Sequence, residues 1–299
     1  MEERWIDPEA PWWAKLRRAR VHITEVRERV DVLQAAGAWS ILREPADHDD
    51  AWAYRFRLHR AIPADLSTVV ADAVGNMRSA LDYVAYELAR HHAGKLTDKE
   101  EIAAEFPICL DEAAFVQFFG DRKKGGLRSG LYGDVEREAL QCVQPFALTD
   151  EARALGIERS TTPQDDLLTD HAQALTVLWN IEKHRRLPEL AWALGPVWWS
   201  LDVASPGYRW VWHVKELAPL RDDAVLGALL GPPGSGRPQV DPPFEMHLVL
   251  TDDPSPYASP LVARLERLHQ SLARWVVPRM FIVAGGDPPP IMISFSEPT

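Results

Sequence analysis

The chain has 299 residues, 46% of them hydrophobic and 26% charged, the composition of an ordinary folded chain with enough apolar material for a substantial core. With 44 acidic against 33 basic residues its formal charge is −11, so the summed field repels a polyanion and disfavours general nucleic-acid binding, while leaving room for a local basic cleft. The longest uncharged apolar stretch, Leu190 to Leu201, is too short to span a bilayer, and the first residues, MEERWIDPEAPWWAKLRRAR, lack the pattern of a signal peptide, so no membrane partner and a cytoplasmic location are expected.

Two cysteines, Cys109 and Cys142, are far apart without C-x-x-C or zinc spacing, which fits reduced, buried thiols. Twelve tryptophans call for large aromatic contacts, in a core first and in an open groove second.

From Pro11 onward, Trp12, Leu16, Ala19, Ile23, Val26, Val30 and Leu33 recur every three or four places, and Gly37 follows as a stop. This is the seam of an amphipathic helix. Next, Ala38 to Leu42 and Ala51 to Ala61 read as two strands around an acidic loop, Pro45 to Asp50. In the second strand Trp52, Tyr54, Phe56 and Leu58 alternate with Ala53, Arg55, Arg57 and His59, so one face is apolar and the other cationic. Arg55, Arg57 and His59 are candidate binding residues; on a half-solvated strand such groups more often simply meet water or neighbouring acids. The Asp47-His48-Asp49-Asp50 cluster has oxygen ligands for a divalent cation but not the spacing of a known site. An acidic turn is therefore expected, and no metal.

Leu66 to His91 carries the longest helical pattern, with Leu66, Val70, Ala73, Met77, Leu81, Val84 and Leu88 as its buried stripe. Arg78 and Asp82 lie on one polar shoulder, Asn76 and Tyr83 on the other. Arg78 and Asp82 are four apart, a pair worth only about 0.2–0.5 kcal/mol on an exposed helix. From Gly94 to Thr162 short helices are expected: Thr97 with Glu100 has capping-box spacing, and Asp111 and Asp134 each open an apolar run. Between them Gly120 to Gly130 reads as a flexible basic loop. It lacks the order of a nucleotide P-loop.

A second long helix is expected from Asp166 to Leu187, ending before Pro188. His171, Glu182 and Arg185 share its apolar face, with Asn180, Lys183 and His184 opposite. Charges on a buried face must be paired, so Arg78 and Asp82 with Glu182 and Arg185 would form an interhelical network. Beyond it, strands are expected at Val197–Ala204 and Tyr208–Glu216, joined by Ser205-Pro206-Gly207. There Trp210 and Trp212 alternate with polar neighbours and become candidate binding residues. Gly231 to Pro243 is a loop, Glu245 to Thr251 a strand, and Ser259-Pro260 caps a helix that stops before Pro278. Met280–Ala284 and Ile291–Phe295 read as strands.

No H-E-x-x-H, G-x-S-x-G, G-x-G-x-x-G or EF-hand spacing occurs, and no cofactor is expected. His91 and His92 diverge by about 100° on a helix and make poor joint metal ligands. The set Asn76-Met-Arg-Ser-Ala-Leu-Asp82, Phe106-Pro-Ile, Gln144-Pro-Phe and Asn180-Ile-Glu-Lys-His-Arg185 resembles the N-x-R-S-A-L-D, F-P-I, Q-P-Y and N-x-x-K-H-R segments of a family of uncharacterised bacterial proteins, over roughly residues 15–190. That resemblance implies a shared helical architecture and no particular activity. A fainter one is to the HEPN ribonucleases, with Tyr83 where their motif has His, and it implies metal-independent RNA cleavage.

The expectation is an α+β chain, a layer of long amphipathic helices packed with an antiparallel, Trp-rich sheet. Residues 1–190 form a mainly helical part with an inserted hairpin (38–61); residues 191–299 carry strands and one helix (260–277), all in one compact domain. Two functions compete. One is a ligand-binding or interaction module with a small-molecule or protein partner. The other is a ribonuclease whose catalytic candidates are Arg78, Asp82, Asn180, His184 and Arg185, Arg78 and Arg185 holding phosphate charge and His184 moving protons.

Overall fold

A computed structural model describes residues 10–47, 49–120, 125–154, 176, 187–195, 207–215, 217–234, 236–237, 244–251 and 259–285. It is a mixed α+β protein with antiparallel sheets. The chain divides into two compact units: one from Met1–Ile23, Ala71–Arg186 and Leu265–Thr299, the other from Thr24–Val70 and Leu187–Arg264. No described helix is long and apolar enough to cross a membrane.

Helix α1 spans Pro11–Ala35. Its seam forms as the spacing predicts: Trp12, Leu16, Ala19, Ile23, Val26 and Val30 are buried. Gly37 takes φ 61°, and Ala38 N–H donates to the Leu33 carbonyl at 3.2 Å, so a left-handed glycine closes the helix and turns the chain into β1. Helix α2 spans Ala64–Ala93, and every residue of its predicted stripe is 0–1% exposed. Burying each such leucine contributes roughly 1.5–3 kcal/mol.

In the first unit α2 is followed by α3 (Asp98–Ala103), α4 (Glu112–Gly120), α5 (Gly125–Leu131), α6 (Asp134–Gln141) and α7 (Pro145–Ala154). Thr97 N–H and Oγ1 both donate to the Glu100 carboxylate at 2.8 Å, and Asp111 Oδ1 accepts from Ala114 N–H at 2.8 Å, so Glu100 and Asp111 each take up a backbone N–H at a helix start. The expected basic loop is different: Gly125 to Gly130 is helical, inside α5.

The C-terminal run also departs from expectation. Helix α8 (Leu261–Ser271) passes through a π-turn (Leu272–Val276) into α9 (Val277–Val283), so Pro278 does not end the helix and Met280–Ala284 is not a strand. Pro278 lacks an N–H and its ring crowds the carbonyl four residues back; the wider turn before it removes that conflict. One face of the run, Leu265, Leu268, Leu272, Val276, Met280 and Phe281, is buried. Trp12 meets Phe281 at 5.7 Å, and His269 Nε2 bonds the Leu16 carbonyl at 3.0 Å.

The second unit holds β1 (Trp39–Pro45), β2 (Ala51–Leu58), β3 (Leu190–Leu194), β4 (Arg209–Trp212), β5 (Val225–Leu230) and β6 (Met246–Leu250). One sheet has the order β1-β2-β5-β4 and the other pairs β3 with β6, all antiparallel. The hairpin over 38–61 forms as expected, with Trp39 opposite Leu58 and Pro45 opposite Trp52. Strand β4 pairs with β5; its expected partner Val197–Ala204 and the segment Ile291–Phe295 lie outside the described residues. Strand β5, VLGALL, is apolar throughout and so has no alternation to betray it.

Candidate functional site

The first unit gathers charged groups around Phe106. Arg78 and Asp82 stand one turn apart on α2, with N–O 3.1 Å between them and side chains 15% and 39% exposed. Arg78 NH2 donates to the Phe106 carbonyl at 2.8 Å, while Asp82 Oδ1 accepts from Phe106 N–H at 3.0 Å. On the next residue, the Glu105 carboxylate pairs with Arg128 of α5. The Arg128 guanidinium also donates to the Phe118 carbonyl at 3.2 Å and lies 3.7 Å from the Phe118 ring centroid.

A third polar residue grips the same segment from beyond. Gln144, fully buried, accepts from Cys109 N–H at 2.8 Å and donates to the carbonyls of Pro107 at 2.9 Å and Leu140 at 2.8 Å. A segment without helix or sheet bonds of its own must find backbone partners in side chains. Arg78, Asp82 and Gln144 supply them. Arg78, Asp82 and Gln144 are therefore brought together around residues 106–109, and what they do there is hold backbone.

Asn76, on the other shoulder of α2, donates to the Asp72 carbonyl at 2.8 Å. Asn180, His184, Arg185 and the rest of the expected helix from Asp166 to Arg186 lie outside the described residues, Thr176 excepted. His91 and His92 do share a target: their Nδ1 atoms lie 2.9 and 3.6 Å from the two oxygens of Glu136, a carboxylate only 6% exposed. Among the described residues no group of three or more His, Cys, Asp or Glu has the arrangement to hold a metal ion.

The second unit presents the sheet candidates on opposite faces. Arg55 meets Glu44 at 3.2 Å and Asp223 at 3.5 Å, Arg57 meets Asp223 at 3.0 Å, and His59 Nε2 lies 2.7 Å from Ser40 Oγ. Neighbouring acids thus take up both arginines of the basic face, and a serine the histidine. Asp222 belongs to the same turn, and the N–H of Leu58 bonded to it holds its carboxyl below the usual carboxylate range.

Trp210 and Trp212 lie on the other face, with Trp52 and Tyr54. Register places Trp52, Leu229 and Trp210 in one row across the sheet and Tyr54, Gly227 and Trp212 in the next. Gly227 makes this possible, since a Cβ there would come within 2.5 Å of the Trp210 ring and of the Val211 carbonyl. Trp210 packs on the buried Tyr54 at 5.4 Å, on Phe244 at 5.7 Å and edge-on to Trp212 at 5.5 Å and 74°. Trp212 itself stays 43% exposed. The arrangement is an aromatic shelf with a covered back and an open front ring.

Sequence reasoning missed Glu105, Arg128 and Gly227. Arg128 was hidden in an apparent surface loop. Gly227 had a signal, a glycine inside an apolar run, which marks a close approach. Compared with family models, curated proteins and solved structures, the chain finds no match.

Proposed function

We propose that the chain is a noncatalytic ligand-binding module of the bacterial cytoplasm, and that its ligand is a small molecule with a flat, largely apolar ring that stacks on Trp212. One observation carries this: Trp212 is 43% exposed while its edge-to-face contact with Trp210 holds it in place. A ring already ordered before binding loses little conformational freedom when it is covered. Aromatic walls with few polar groups are the usual lining of small-molecule sites.

The competing ribonuclease reading asks Arg78 to hold a phosphate. Arg78 already donates to the Phe106 carbonyl and pairs with Asp82, which supports the module. The test is a thermal-shift and tryptophan-quenching screen of ring-bearing small molecules on the intact chain, because a ligand of the folded form raises its melting point. A hit that binds wild type and loses at least about tenfold in affinity in Trp212→Ala, roughly 1.4 kcal/mol, supports the proposal. Hits indifferent to that substitution overturn it, as does cleavage of RNA without divalent ions that vanishes in both Arg78→Ala and His184→Ala.

A further inference from the structure

The polar cluster around Phe106 contains buried donors, on Tyr132 and Arg128, that meet no acceptor among the described residues. Tyr132 follows the last residue of α5, one turn beyond Arg128, and the two residues are 1% and 6% exposed. The Tyr132 hydroxyl and Arg128 Nε have no hydrogen-bond partner among the described residues. Buried donors in folded proteins are almost always satisfied, and a hydroxyl and a guanidinium N–H left bare within electrostatic reach of each other call for an acceptor.

The surroundings say what kind of acceptor fits. Arg128 reaches Glu105, and the adjacent residue, Phe106, is bonded to both Arg78 and Asp82, so the chain itself draws the two ion pairs to one place. The Tyr132 hydroxyl lies within electrostatic reach of Arg128, Asp82 and Glu105, and burial raises its pKa above the usual phenol range. It therefore stays protonated. Each arginine has its carboxylate, so the cluster carries no surplus charge. An anionic guest would meet two carboxylates that already have cations, and a metal ion would meet donors where it needs lone pairs.

We propose that this cluster is the binding site of one buried water molecule, a neutral guest that both accepts and donates hydrogen bonds. The guest accepts from Arg128 Nε–H and from the Tyr132 hydroxyl, and donates to the carboxylate of Asp82 or Glu105. Buried waters of this type make about three hydrogen bonds and are costly to remove. Its effect is to tie α5 to the segment that Arg78 and Asp82 already tie to α2. The site is separate from the aromatic shelf and does not depend on it.

The experiment is a crystal structure of the intact protein at a resolution that shows ordered water, for wild type and Tyr132→Phe, with urea denaturation of both. A peak of water density within hydrogen-bond reach of Tyr132 Oη and Arg128 Nε in wild type, absent in Tyr132→Phe, is the expected result, together with a lower denaturation midpoint in the variant. No peak in wild type overturns the proposal. So does a peak unchanged in Tyr132→Phe, density shaped as a carboxylate or larger anion, or a variant as stable as wild type or more so, since removing a truly unpartnered hydroxyl is neutral or favourable.

Discussion

Arg78 and Asp82 hold the two ends of one peptide residue: the guanidinium takes the Phe106 carbonyl at 2.8 Å and the carboxylate takes the Phe106 N–H at 3.0 Å. An i, i+4 pair of little worth by itself becomes a clamp because a third backbone sits between its arms. Arg78→Met is expected to lower stability by about 1–3 kcal/mol, since it leaves a buried carbonyl without its donor. Asp82→Leu costs less, about 1 kcal/mol, because its side chain is 39% exposed and water replaces it. The double variant, measured by urea denaturation, should fall short of the sum, as for any two residues that share a partner.

Gln144 supplies the other grip on that segment, with three backbone partners and no exposure. Gln144→Leu keeps the volume and removes every one of these bonds. About 3 kcal/mol of destabilisation is expected from the stranded groups. Gln144→Glu should be worse than Leu at neutral pH, since it buries a charge and loses the donor to Pro107; equal stability of the two would contradict this account.

Gly227→Ala puts a methyl within 2.5 Å of the Trp210 ring and of the Val211 carbonyl. The ring can move; the backbone of β4 is less free to. The substitution is expected to cost about 1–3 kcal/mol and to shift the tryptophan emission as the shelf is displaced. Trp212→Ala, by contrast, should change emission with little loss of stability.

His269 is buried against α1 and its pKa is lowered, chiefly by desolvation, with the bond to the Leu16 carbonyl opposing. A base whose pKa is lower folded than unfolded binds more protons unfolded, so stability rises with pH across that interval. Its contribution is full above the unfolded value near 6.5 and is lost as pH falls from there through the folded value. Melting temperature should therefore drop between neutral and mildly acid pH, and His269→Gln, which retains an N–H donor, should flatten that part of the profile.

The Cys109 thiol is pushed up to about 11, by burial first and then by Asp111, and burial also raises Cys142. Reaction of thiol reagents goes through the thiolate. Both cysteines should be slow to modify at pH 8 in the native protein and fast in urea; rapid native labelling at Cys109 would refute the burial described for it.

Local sequence alone determined the faces of α1 and α2, the 38–61 hairpin, the helix starts at Thr97 and Asp111 and the left-handed stop at Gly37, because each follows from side chains within a few residues of one another. It also picked out Arg78 and Asp82 as unusual. What it could not reach were interactions fixed by distant segments. Tertiary structure decided that Phe106 lies between Arg78 and Asp82, that Arg128 is buried against Glu105, that Asp223 takes up Arg55 and Arg57, and that Gly227 makes room for Trp210. Pro278 stayed helical because a π-turn inserted before it moved the clashing carbonyl away. Local pattern records which side of an element avoids water; which groups meet there is set by the packing of elements far apart in sequence, and at those meeting points the polar chemistry of this protein resides.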